Sequence, residues 1–201
     1  NLTRPLAAQV ERIDAVDQSG RMIALAQTLP GGDQSTIRWI VGQVESVALD
    51  PPYALIVAGD SLHWMDWYAI MPRFAQMLTA HGYLAITGVG WKPVPWNAGP
   101  ICARYSTNRE YTPYNVIDEL TQRGLYEIVG RQTTASVPFV QSVDHYIESF
   151  HARNGLSRDR MTAADAAAFD AEIRTMVEPY ATHGQIELQV HATIAWGKPG
   201  A

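Results

Sequence analysis

Apolar residues recur along this chain at two spacings, and the points where the spacing changes mark its elements. Residues 2–10, Leu-Thr-Arg-Pro-Leu-Ala-Ala-Gln-Val, read as a helix capped by Thr3, with Pro5 in the first turn where its missing N–H has no cost. Ile13 and Val16 make a short strand ended by Asp17. Ser19 then caps a helix that turns Met22, Ile23, Leu25 and Ala26 towards a sheet, until Pro30-Gly-Gly-Asp33 breaks it. Ile37, Trp39 and Val41 alternate as in a strand, and Asp50-Pro-Pro52 is a rigid approach to a continuously apolar strand over 53–58. After Asp66, Ile70, Phe74 and Leu78 at spacings of four predict a helix that stops at His81-Gly82 and leads into a strand from Tyr83 to Gly88.

Residues 91–114 are rich in aromatics and proline, too apolar for a linker and too irregular for one element, and are expected to fold over the carboxyl ends of the strands. Thr112-Pro113 opens a helix with Val116, Ile117 and Leu120 inward and Gly124 at its end, followed by a strand over 126–136. Two helices are expected at 142–153 and 163–178. The last strand, 185–196, alternates Ile186, Leu188, Val190, Ala192 and Ile194 inward against Glu187, Gln189, His191 and Thr193, the pattern of a half-exposed antiparallel strand.

Helices alternating with apolar strands predict an α/β protein, and 201 residues with 47% hydrophobic content suit one domain with a sizeable core. Fifteen basic against 20 acidic residues, with no basic run, argue against a nucleic-acid partner. The single cysteine, Cys102, excludes an internal disulfide and a cysteine-rich zinc site; no base or cation near it in sequence points to a nucleophile. No apolar run reaches membrane-spanning length and no signal core opens the chain, so the expectation is a cytoplasmic protein without a membrane partner and without a bound metal.

The most informative stretch is 53–67, where the apolar strand stops at Gly59-Asp60 and gives way to Ser61-Leu-His63-Trp64 and Trp67. Ligands of open α/β sheets bind at such carboxyl ends, and the strands ending at Asp17 and before Gln43 are expected to point at the same crevice. An acid such as Asp17, ending the second strand of a dinucleotide-type fold, accepts hydrogen bonds from ribose hydroxyls, and a glycine-rich turn stands about 20 residues before it. Counting back puts that turn before residue 1, so the sequence is expected to lack the first strand and the glycine-rich motif. Gly82 to Gly90 contains glycines, but they flank a strand and precede Trp91-Lys-Pro.

In these residues the chain resembles the class I S-adenosylmethionine-dependent methyltransferases that act on small molecules. Val16-Asp17-Gln18-Ser19-Gly-Arg-Met22 is similar to their strand-2 segment, Gly42-Gln43-Val44-Glu45 to the segment after strand 3, residues 54–64 to the strand-4 motif, and residues 78–85 to the turn into strand 5. The resemblance covers about residues 1–90. It implies a Rossmann-like, mostly parallel sheet with helices on both faces and an antiparallel C-terminal strand, with 1–90 as the partial cofactor half and 91–201 as substrate cover and last strands. It implies S-adenosylmethionine as cofactor and S-adenosylhomocysteine as product, an enzyme that methylates a small-molecule acceptor, and a possible homo-oligomer. Asp17 would hold the ribose, Gln18 and Met22 flank the adenine, and Gln43, Val44 and Glu45 meet its amino edge, with Gln43 standing where the family usually has Asp.

Gly59 and Asp60 would face the methionine part or the acceptor. His63, a histidine at a strand end, is the candidate base. Trp64, Trp67, Trp91 and Tyr105, with Trp96, are candidates for an apolar acceptor wall that attracts the sulfonium through ring faces. Each residue also has a plainer role open to it: His63 packed beside Trp64, Asp60 as a turn former, Gln43 and Glu45 in a solvated turn, the aromatics as core, Arg104 and Arg109 as loop cations and not a carboxylate clamp. His145 and His151 fall on nearly opposite helix faces, and His183 and His191 read as a turn and an outward strand residue. Two other functions stay open: an inactive scaffold for protein association, and an NAD-dependent oxidoreductase, which leaves His63-Trp64 and Gly42 to Glu45 without explanation.

Overall fold

The computed structural model describes residues 2–110 and 114–200; Thr112 and Pro113, expected to open a helix, lie outside them. In chain order the elements are α1 (Thr3–Ala7), β1 (Ile13–Asp17), α2 (Gly20–Thr28), β2 (Ile37–Val41), β3 (Tyr53–Gly59), α3 (Trp67–Met77), β4 (Leu78–Trp91), α4 (Gly99–Tyr105), α5 (Val116–Gln122), β5 (Tyr126–Thr133), β6 (Val137–Ser142), α6 (Val143–His151), α7 (Ala163–Val177) and β7 (Gln185–Pro199). They gather into two compact units that interleave along the chain: residues 1–88, 115–132 and 194–201 form one, residues 89–114 and 133–193 the other.

In the first unit β1 and β2 pair in parallel from Ile13↔Ile37 to Asp17↔Val41, so both carboxyl ends leave on the same side. β3 and β4 pair in parallel up to Gly59↔Thr87, and the strand order continues β3-β4-β7-β5. Against this sheet α3 lays Ile70, Met71, Phe74 and Met77, a helical stripe that packs on Leu84, Ile86 and, from α5, Leu120. Asp66 caps α3 by accepting from the Tyr68 and Ala69 N–H groups, while Ser19 and Asn115 cap α2 and α5 in the same way.

Tyr126, 2% exposed, donates its hydroxyl to the carbonyl oxygens of Leu84 and Ala195, bridging β4 and β7. Burial pushes this phenol up to about 12, with Arg131 opposing. A group whose folded value is raised contributes stability below its unfolded value and loses it as pH climbs through the folded one, so the Tyr126 contribution disappears between pH 10 and about 12. Tyr126→Phe is expected to cost about 1 kcal/mol near neutrality and to flatten the alkaline end of the unfolding curve. Equal alkaline sensitivity in variant and parent would refute this.

In the second unit β6 runs antiparallel to the first half of β7, Val137↔Val190 to Ser142↔Gln185, and the Lys92 N–H of the segment after β4 bonds to the Gln189 carbonyl. α6 and α7 cover one face through Ile147, Phe150, Phe169, Ile173 and Val177, meeting Ile186 and Leu188. A two-residue turn with His183 and Gly184 both at positive φ (52° and 72°) enters β7, the backbone twist that suits tight hairpins.

Several expectations need correction. Thr3 lies inside α1, whose N-cap is Leu2 with no side-chain bond. α3 ends at Met77, and Leu78 to Gly82 belong to β4. The register shows why the helical spacing misled: Tyr53 pairs with Leu78 but Leu55 with Tyr83, so the intervening residues bulge. Gly82 marks close backbone approach and not a helix stop, since a Cβ there would lie 2.9 Å from the Tyr53 carbonyl oxygen. The ammonium of Lys198 donates to the bulge's Ala80 and Gly82 carbonyls and sits over the Tyr83 ring.

The strand expected over 126–136 ends at Thr133 and restarts as β6. Thr134 intervenes, where the side-chain hydroxyl accepts the Ala192 N–H. Residues 91–114 contain a regular helix, α4. In β7 the inward parity reverses: Ile186 and Leu188 are buried as expected, but further on Ala195, Gly197 and Pro199 are.

Candidate functional site

The site is built on the two parallel strand ends of the first unit. Asp17 closes β1 with its carboxylate exposed. Its Oδ1 accepts the Ser19 N–H at 2.8 Å, and Ser19 Oγ accepts the Met22 N–H at 3.2 Å. The cap of α2 therefore also orients the acid, and the N-terminal turn of a helix favours a negative group beside it. On the neighbouring strand the Gly42 N–H bonds to the Asp17 carbonyl at 3.0 Å, which brings Gln43 alongside Asp17. Gly42 itself has φ 150°, and a Cβ on it would lie 2.4 Å from Val47 Cγ1. Only glycine lets the chain turn there. Gln43 is exposed and opens a turn in which the Ser46 and Val47 N–H groups bond to its carbonyl, while Val44 packs against the core and Glu45 is half-buried. Arg73 of α3 donates to the Val47 carbonyl at 2.6 Å and holds this loop down.

Two large apolar side chains lie open here: Met22 is 53% exposed, and Val41, the last residue of β2, is 55% exposed. Val41 approaches Gly20, where an added Cβ would meet it at 3.7 Å. Sequence reading missed Val41, because an apolar residue closing an alternating strand looks like core until its exposure is seen.

The end of β3 joins this region from below. α1 descends from Leu2, whose Cδ1 would lie 2.8 Å from a Cβ on Gly59, to the start of β1, where Asp14 bonds to the hydroxyl of Tyr53, the first residue of β3. The start of β1 is thus tied to the start of β3 by a side-chain bond, while β1-β2 and β3-β4 form separate sheets. Asp60 holds a left-handed φ of 48°, and its N–H bonds to the Thr87 carbonyl at 3.1 Å. Non-glycine residues in that region collect at functional sites.

His63 and Trp64 sit in the 3-10 turn over Leu62–Trp64, both exposed, with rings 4.8 Å apart. Trp67 is bound differently: its indole N–H donates to the Leu62 carbonyl at 2.7 Å and the Arg123 guanidinium covers its ring. Trp91 and Tyr105 belong to the second unit. Trp91 is 54% exposed on β4. Tyr105 donates to Glu172 Oε1, which also binds Arg104, and that carboxylate with burial raises its phenol above the ordinary value. Trp96 donates to the Tyr146 hydroxyl at 2.8 Å. Burial pushes the Cys102 thiol up, against the pull of Arg153, which keeps it protonated. Arg109 is exposed. Among the described residues no three His, Cys, Asp or Glu side chains are placed to hold a metal, and no helix is long and apolar enough to cross a membrane.

Comparison with known proteins bears on the fold that carries these residues. A family model described as "Methyltransferase domain" matches residues 1–86. No curated protein matches the chain. Among solved structures, the chain is similar to a proposed Type II methyltransferase from Anaeromyxobacter dehalogenans, with a TM-score of 0.61 at 18% identity over 96% of this chain and 83% of that one. It also resembles a proposed methyltransferase from Bacillus halodurans C-125, with a TM-score of 0.58 at 10% identity over 99% and 88%, and the [4+2]-cyclase SpnF, at 0.52 and 18% over 98% and 71%. The fold is the Rossmann-like α/β fold of methyltransferases, with a mixed sheet flanked by helices. The family model thus covers the segment that carries β1 to β4, and the likeness to the solved structures is one of fold.

Proposed function

We propose that this protein transfers the methyl group of S-adenosylmethionine to a small organic acceptor, and that the cofactor lies across the ends of β1, β2 and β3. The observation that carries the reading is the pre-oriented Asp17: with Oδ1 committed to Ser19, the carboxylate is held in place for a pair of vicinal hydroxyls. Met22 and Val41, with Val44 beneath, offer apolar surface to the adenine, and Gln18, Gln43 and Glu45 offer polar groups to its edge. Gly59 closes β3 with Leu2 against it, and Asp60 is placed for the amino group of the methionine part or for the acceptor. The cofactor supplies an electrophilic methyl whose bond to sulfur breaks as the acceptor's lone pair attacks, with the electron pair returning to sulfur. The chain's share is alignment and exclusion of water, which is worth on the order of 7–11 kcal/mol in well-oriented reactions. His63 takes the acceptor's proton, Trp64 walls the acceptor in the first unit, and Trp67 backs that wall.

The reading is tested by thermal shift with S-adenosylhomocysteine. A ligand at about 100 times its Kd adds roughly 2.7 kcal/mol, a rise of about 5–10 °C for a chain of this size. No shift at millimolar concentration, or a larger one with NAD, overturns it. The cyclase SpnF shows that a protein of this fold also carries another reaction, so cofactor binding and methyl transfer are measured separately. His63→Ala is expected to leave the thermal shift intact and to lower kcat about 100-fold or more for hydroxyl or amine acceptors.

A further inference from the structure

Among the described residues the one buried side-chain nitrogen or oxygen without a hydrogen-bond partner is Nε of Arg73. Arg73 stands on α3 at the margin of the stripe formed by Ile70, Phe74 and Met77, half-buried, and no part of the methyl-transfer reading uses it. An N–H taken out of water without an acceptor lowers stability. Such a group calls for a reason why the guanidinium lies where it does. The reason is at the other end of the fork, where Nη2 donates to the Val47 carbonyl oxygen at 2.6 Å, 26 residues back along the chain. That bond holds the arginine against the loop that follows β2.

Val47 is the residue through which this loop is set. The Gly42 N–H bonds to the Asp17 carbonyl, and the Ser46 and Val47 N–H groups converge on the Gln43 carbonyl, each at 3.0 Å. Val47 Cγ1 occupies the space that a Cβ on Gly42 would need, 2.4 Å away. Val44 and Leu49, on either side of Val47, pack against the cluster that α3 covers. Val47 is therefore both the neighbour of Gly42 and the closing residue of the turn that displays Gln43, Val44 and Glu45. Moving it moves Gln43 relative to Asp17. Among the described residues the hydrogen bond to its carbonyl oxygen comes from Arg73.

We infer, on the cofactor reading proposed above, that Arg73 is a positioning residue for the adenine end of S-adenosylmethionine: through Val47 it fixes where Gln43, Val44 and Glu45 meet the base, without touching the base itself. A loop already held in place spares the ligand the cost of ordering it, so such a residue acts on affinity. A lysine at 73 can make the same single bond without an orphaned N–H. A methionine keeps an apolar stem and has no donor.

The test is calorimetric titration of the intact parent, Arg73→Met and Arg73→Lys with S-adenosylhomocysteine, together with melting and amide hydrogen exchange. Arg73→Met is expected to raise the Kd roughly fivefold to tenfold, the equivalent of one hydrogen bond. Arg73→Lys is expected to restore most of that affinity. The melting temperature of free Arg73→Met should stay within about 2 °C of the parent, because the orphaned N–H leaves together with the bond. Its Ser46 and Val47 amides should exchange about tenfold faster, while the Ile70 amide, bonded to the Asp66 carbonyl at the start of α3, is unchanged. In the parent, saturating S-adenosylhomocysteine should slow exchange at Ser46 and Val47. Where the parent binds this ligand, four results each overturn the inference alone: equal affinity in Arg73→Met, a loss of affinity matched by a fall in melting temperature, no rescue by lysine, or loop exchange in the parent that ignores the ligand. The last is read without any variant. A parent that does not bind S-adenosylhomocysteine overturns the inference and the cofactor reading together.

Discussion

Asp17→Asn is expected to weaken binding of S-adenosylhomocysteine at least tenfold while leaving the melting temperature of the free protein within about 2 °C. The asparagine carbonyl still accepts the Ser19 N–H that shapes the entry to α2, so the strand end and cap survive. What is lost is the charge of an exposed carboxylate. Hydrogen bonds to charged groups contribute about 1.5–3 kcal/mol, and every 1.4 kcal/mol is tenfold in affinity. Calorimetric titration of variant and parent decides the matter. An unchanged Kd would move the cofactor away from β1 and take the central claim with it. A parallel loss of affinity and of melting temperature would instead assign Asp17 to the fold.

The largest stability effect is expected at the opposite end of β1. Asp14, with a side chain 2% exposed, accepts Arg38 Nε at 2.9 Å and Nη2 at 2.6 Å, and the Tyr53 hydroxyl as well. Tyr53 Oη accepts the Asp50 N–H in turn, and Arg12 lies over its ring while pairing with Asp50. These side chains tie the β1-β2 sheet to the start of β3. Burial raises the Asp14 carboxyl, but the bonds from Arg38 and Tyr53 and the charges of Arg38 and Arg12 outweigh it and hold the group below its ordinary 3.8. The Tyr53 phenol is raised, by burial first and then by the bond to Asp14.

Asp14→Ala leaves a guanidinium half in water and a phenol without its acceptor. The expected loss is about 2–3 kcal/mol, discounted from the cost of breaking a fully buried pair because Arg38 is 50% exposed. That is a drop of roughly 5–10 °C. The sign with pH follows from the lowered value: the contribution is complete above 3.8 and is lost as pH falls through the folded value. Parent and variant should therefore converge in acid. A constant gap between them from pH 7 to pH 2 would show that Asp14 acts through packing alone.

Much of the fold was legible because its cues are local. Ser19 before Met22-Ile23, Asp66 before the stripe of α3, and the periodic apolar residues of α6 and α7 carry their own caps and faces, so those elements stand within a few residues of where the sequence puts them. The apolar run ending at Gly59-Asp60 is likewise a strand end. Misreadings cluster where a partner strand overrides spacing. Leu78 continues the helical rhythm of Ile70 and Phe74, yet pairing with Tyr53 takes it into β4. Residues 137–142 have no clear alternation of burial and are a strand because β7 supplies the ladder. In the site, Asp17 could be singled out from its place after a strand, but its orientation by Ser19 and the approach of Gly42 could not.

Sequence alone determined the alternation of apolar strands with capped helices, the polar residues that close each strand, and hence the class of α/β fold, because burial on both faces and cap chemistry act over a few neighbouring residues. Tertiary structure decided the rest: which strands pair and in what register, the bulge at 79–82 stitched by Lys198, the parity reversal in β7, and the tie from Arg73 to the Val47 carbonyl. Those depend on groups tens of residues apart along the chain, whose encounter no local spacing encodes.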